Sequence, residues 1–125
     1  TSDVMAVLWR RFCLQAVLSA VTVHFGEPVG AVRTEAASRA LMIAMISESV
    51  AVARARGVVL ETGVEAMILQ WLDRMPEGAG PAVDQTPGVD FPDLLIRYGE
   101  ESGLEMPVVR GLATRSRDGA RRGVA

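Results

Sequence analysis

Lysine and asparagine are both missing from this sequence, and all 13 of its basic residues are arginine. Without lysine the chain has no amino side chain whose pKa burial could bring near neutrality, and arginine stays charged at any working pH. Acid catalysis by a side-chain ammonium group is thereby excluded. A single cysteine, Cys13, excludes an internal disulfide; its place in an apolar run reads as a small core residue in a reducing, cytoplasmic setting. The one histidine, His24, has no Cys, His or carboxylate at ligand spacing, so no metal site is expected. The longest uncharged run near the N-terminus, Phe12 to Phe25, has 14 residues. On that count a bilayer span, which needs about 20, fails on length, and no membrane partner is expected. Net charge is only -2, which gives no field to draw nucleic acid.

Half of the residues are hydrophobic and 22% are charged, a globular composition in a chain long enough for one domain. Residues 1–114 are read as that domain. Residues 115–125, "RSRDGARRGVA", hold four arginines among small residues and are expected to be a disordered, solvated tail. The chain begins with Thr rather than Met, which suggests a piece of a longer protein.

Apolar spacing predicts helices throughout, and the class is all-α. Ser2 or Asp3 can cap a first helix that runs to Phe25, where Gly26 and Pro28 stop it. After the loop "GEPVG", a second helix opens near Thr34 and ends at "RARG", with Gly57 as its left-handed cap. A capping box, Thr62-Gly-Val-Glu65, predicts the start of a third helix that stops before Pro76. A long loop follows to Pro92, then a helix ending at Gly103 and a short one opened by Pro107. Trp9, Leu41, Met45, Val52, Leu69 and Leu72 are the expected core, with Met42, Met67 and Met75 as filler.

Within the first helix, Arg11, Gln15, Ser19 and Thr22 fall inside an arc of about 80°, along a side roughly 16 Å long. Such a row is either a wet face or one wall of a binding site. Arg11 would offer a forked, permanent charge to a carboxylate, with Gln15 and Ser19 as hydrogen-bonding neighbours. These three are the candidate substrate-binding residues.

The order "LWRRFCLQAVLSAVT", Gly30, "ALMIAMISESVAVARARGV" and "YGEESGLEMP" resembles the C-terminal helical domain of the ketopantoate reductase (2-dehydropantoate 2-reductase) family, over about residues 3 to 113. Trp9, Glu48, Gly57 and the Gly103 to Pro107 turn carry the match. The resemblance implies a fold like the C-terminal domains of that family and of 6-phosphogluconate dehydrogenase-like proteins. It also implies the substrate side of an NADPH-dependent reductase of a 2-oxo acid, in pantothenate biosynthesis. The cofactor would bind an N-terminal Rossmann domain, whose glycine-rich fingerprint is not in this sequence. No cofactor is therefore expected on this chain alone.

The family's functional positions are changed. Where the resemblance implies Trp-x-Lys and two asparagines, this chain has Trp9-Arg10-Arg11, Gln15 and Ser19. A later Asn-Gly pair falls on Pro92-Asp93 and a glutamate on Pro87, unless a gap brings Asp84 or Asp90 into that role. No catalytic residue is assigned, and oxidoreductase activity would require the Rossmann domain. Two other readings stay open: a free-standing helical domain that binds or rearranges a small anionic molecule without NADPH, and a non-enzymatic helical interaction module that forms a homodimer.

Overall fold

The computed structural model describes residues 2–78 and 91–111. Five helices follow in order: α1 (Ser2–Phe25), α2 (Val29–Thr34), α3 (Ala36–Ala55), α4 (Val64–Arg74) and α5 (Phe91–Glu101). A further helical turn covers 107–111, and no strand occurs among the described residues. The expected loop from Pro76 to Pro92 falls mostly on residues 79–90, and the tail at 115–125 falls beyond 111; both lie outside the described residues.

Helices α1 and α3 each pack against all the other helices, and against each other. Their shared interior holds Cys13, Val17 and Val21 from α1 and Met42, Met45 and Ile46 from α3, all fully or almost fully buried. By length and composition alone, Val4–Phe25 and Ala36–Ala55 are each apolar enough to cross a bilayer, so the length argument above does not hold. The uncharged-run count overlooked that a span tolerates a charge or two. The two helices are packed here as core helices, with their apolar sides turned into one shared interior.

Three helix ends are made in the same local way. After α3, the Val58 N–H reaches the Ala53 carbonyl at 3.0 Å and the Gly57 N–H reaches that of Arg54 at 3.0 Å. This is a Schellman closure, and it needs the left-handed backbone that Gly57 adopts at φ 85°. Gly26 after α1 and Gly103 after α5 close their helices with the same pair of bonds.

Two local expectations are overturned. The loop "GEPVG" is cut short and the second helix opens well before Thr34, since α2 starts at Val29 with Val29 and Val32 buried against the core. Three apolar residues over six positions, Val29, Ala31 and Val32, are too few to show a helical period. The capping box at Thr62 does not form: Gly63 is the N-cap residue of α4, with φ 88° and no side-chain cap bond. Glu65 instead lies 3.6 Å from Arg54, so tertiary pairing with α3 took the side chain the box required.

Trp9, Met45, Val52 and Leu72 are buried as expected, and Met42 with them. Leu41 and Leu69 are only half-buried and pack on the edge of the core, as does Met75; Met67 is also half-buried. Fully buried positions that the periodicity did not single out include Ile68, Leu95 and Met106.

Candidate functional site

The polar row of α1 changes character along its length. Arg11 is exposed, Gln15 and Ser19 are half-buried, and Thr22 is buried. Thr22 turns inward on its own helix, donating its hydroxyl to the Leu18 carbonyl at 2.6 Å. Its hydroxyl is satisfied there and offers nothing to a ligand. The row is therefore neither a wet stripe nor a continuous wall; only its N-terminal end opens to a cleft.

That cleft has a volume of about 520 Å³ and is lined by Val7, Arg10, Arg11, Leu14, Gln15 and Trp71. A smaller hollow of about 210 Å³ touches Arg11 and Gln15 from the other side, with Leu8 and Phe12 as its apolar wall. Arg11 and Gln15 are common to both, and Ser19 lines neither. Of the three candidate residues, the structure thus brings two together at a concave surface.

The two neighbouring arginines differ in their engagement. Arg10 pairs with Glu61 at 2.9 Å, reaching across to the segment before α4. Arg11 makes no ion pair or side-chain hydrogen bond among the described residues. Beside it, the Oε1 atom of Gln15 is buried with no hydrogen-bond partner among the described residues. An unpaired guanidinium at a cleft is what a ligand with an anionic group would satisfy, while the Gln15 oxygen, having almost no accessible surface, faces away from that cleft.

Around this end of α1 the scaffold is stiffened by rings. Trp9 stacks on Phe12 with centroids 5.2 Å apart, and Tyr98 of α5 tilts against both at 5.5 and 5.9 Å. The Arg56 guanidinium lies 4.4 Å from the Tyr98 ring centre and also pairs with Glu101 at 3.2 Å. Trp71, which forms the α4 side of the cleft, was not among the sequence candidates. Its helical spacing gave only a generic apolar position, and nothing local marked it as facing α1.

The remaining candidates sit apart. Asp84, Pro87 and Asp90 lie outside the described residues, while Pro92 and Asp93 form the first turn of α5. Cys13 is buried in the core, as expected, and burial pushes its thiol up to about 12. His24 packs edge-on against Phe25 at 4.6 Å. No group of His, Cys, Asp and Glu able to hold a metal ion occurs among the described residues.

A family model described as the ketopantoate reductase PanE/ApbA C terminal matches residues 3–83. The chain belongs to that family. A crystal structure of a PanE/ApbA family ketopantoate reductase from Ralstonia eutropha JMP134 superposes with a TM-score of 0.75 at 24% identity. The match covers 90% of this chain and 40% of that one, so the chain spans well under half the length of that relative. At that identity the likeness shows the fold, and the fold is that of a ketopantoate reductase C-terminal domain. No curated protein matches the chain.

The described part of this ketopantoate reductase C-terminal domain contains no Rossmann-type phosphate-binding turn. A glycine-rich fingerprint works by turning a strand into a helix so that backbone amides meet the pyrophosphate. Residues 2–78 and 91–111 are helices and short connections, with no strand to supply that turn.

Proposed function

We propose that this chain is the substrate-side domain of a 2-oxo acid reductase of the ketopantoate reductase type, acting with a dinucleotide-binding domain that this sequence does not contain. The observation that carries the reading is the unpaired Arg11 guanidinium at a cleft that Gln15 also lines. Arg11 would hold the substrate carboxylate through two parallel N–H bonds, and Gln15 would fix the orientation of the neighbouring oxygen. Ser19, one turn further on, lies outside the cleft and would act only through a ligand that reaches past Gln15.

Arg11 binds but does not donate the proton that a reduced ketone needs, because its pKa is far above neutrality. The acid must come from another group, and Asp84 or Asp90 is the place to look within this chain. Cover for the site would come from the missing domain. Val4, Val7 and Leu8, at helical spacing on the first turns of α1, are each more than half exposed, at 55%, 53% and 56%. An apolar face of this kind beside a binding cleft suits a domain that closes over it. A second copy of the chain would cover the same face, and that is the alternative reading, an interaction module.

The test is a titration of the chain with 3-methyl-2-oxobutanoate, followed by calorimetry, for the native sequence and Arg11→Ala. Binding that disappears in the variant, with its melting point within a few degrees of the native value, supports the reading. A variant that unfolds, or binding that persists, would make the row structural. Sedimentation separates the alternative: a self-associating chain whose association is lost in Leu8→Glu favours the module.

A further inference from the structure

We propose that the cleft between α1 and α4 takes a 2-oxo or 2-hydroxy monocarboxylate with an aryl side chain, rather than a short branched one. The inference rests on the reading of Arg11 and Gln15 as the carboxylate site, and what it adds comes from the rest of the wall.

Three of the residues lining the larger cavity are apolar: Val7 and Leu14 from α1 and Trp71 from α4. Its volume of about 520 Å³ lies within the range of about 300–1,000 Å³ usual for clefts that enclose larger organic ligands. A short branched acid anchored at Arg11 would occupy the polar end and leave Trp71 in water. An aryl group on the same acid would have the Trp71 indole as an aromatic surface and Val7 and Leu14 as aliphatic sides in the same cleft. Leu8 and Phe12 continue the apolar lining on the far side of Arg11.

Charge sets the other half of the specificity. Two arginines line the cleft, but Arg10 is engaged by Glu61 at 2.9 Å. Arg11 is the unpaired cation of the two, which matches a single carboxylate better than a phosphate ester or dicarboxylate. The Gln15 oxygen is buried, so it is the amide nitrogen of the same side chain that is left to donate to a 2-oxo or 2-hydroxy oxygen.

The experiment compares phenylpyruvate with 3-methyl-2-oxobutanoate by calorimetry on the native chain, Arg11→Ala, Trp71→Ala and Trp71→Leu. The last variant keeps an apolar contact with the core should Trp71→Ala fail to fold. Phenylpyruvate is expected to bind at least tenfold more tightly; losing the indole should remove that advantage while leaving the short acid within twofold, and Arg11→Ala should remove both ligands. Equal affinities that both depend on Arg11 would overturn the aryl preference and leave the carboxylate site standing. Binding of neither acid, or of phenylpyruvate independently of Arg11, would overturn the carboxylate site and the preference together.

Discussion

The carboxylate of Glu48, on α3, accepts the backbone N–H of Val108 at 3.0 Å and that of Val109 at 2.9 Å. Two otherwise unsatisfied amides at the start of the 107–111 turn are thus held by a side chain about sixty residues earlier. Replacing Glu48 with Ala should cost about 1–3 kcal/mol and lower the melting point by several degrees, because both amides lose a charged acceptor. Glu48→Gln, which keeps one acceptor oxygen, should cost less. Hydrogen exchange at Val108 and Val109 is the site-specific check; unchanged protection in Glu48→Ala would refute the tie.

Gly30 and Gly99 are both close-packed, against different kinds of neighbour. A Cβ on Gly30 would sit 2.8 Å from the Glu77 carbonyl oxygen, and the Gly30 N–H already donates to that oxygen at 3.0 Å. The Glu77 backbone cannot step aside without giving up that hydrogen bond, so Gly30→Ala should cost about 1–3 kcal/mol. At Gly99 the added carbon would meet the sulfur of Met106, in a flexible but buried side chain rather than in backbone. The gain in helix propensity, about 1 kcal/mol, should offset part of that crowding. Thermal melts should therefore rank Gly30→Ala below Gly99→Ala, and the reverse order would refute the account.

Asp73 and Arg39 form a two-bond pair at 2.7 and 2.9 Å, joining α4 to α3. The hydrogen bonds from Arg39 hold the Asp73 carboxyl below the usual carboxylate range. A depressed folded-state pKa gives stability that is present above the unfolded value, near 4, and lost as the pH falls through the folded one. Both side chains are about a third or more exposed, at 33% and 38%, so the effect is small, within about 1 kcal/mol. Denaturation curves between about pH 5 and pH 2 should show a shallower acid loss in Asp73→Asn than in the native chain. An identical slope would mean that the pair contributes nothing.

Cys13 has no accessible surface, and its thiol is pushed up to about 12 by burial. Thiolate is the reactive form, so a maleimide at pH 7 should leave the native chain unmodified and label it only on unfolding. The labelling rate should then follow the unfolded fraction through a urea titration. Rapid labelling of the native chain would place Cys13 at the surface and contradict the packing of α1 on α3.

Much of the helical layout was legible because its signals are local. Gly26, Gly57 and Gly103 each end a helix through bonds closed within six residues, so no distant partner can alter the outcome. The capping box at Thr62 was equally local in pattern, yet Glu65 went to Arg54 across a helix contact. Leu41 and Leu69 followed the apolar period but ended at the edge of the core, since periodicity gives the face of a helix and not the extent of its cover.

The candidate site divides along the same line. That Arg11, Gln15, Ser19 and Thr22 share one side of α1 follows from 100° per residue, and the sequence alone determined it. Which of them lines a cleft was decided by what packs beside that side. Trp71 arrives from α4 to make a cleft at Arg11 and Gln15, Glu61 takes Arg10 out of play, and the covered half of α1 turns Thr22 back on its own carbonyls. Rotation along one helix is set by bonds between neighbours in the chain. Burial and pairing are set by residues tens of positions away, and only the folded arrangement brings those residues within reach.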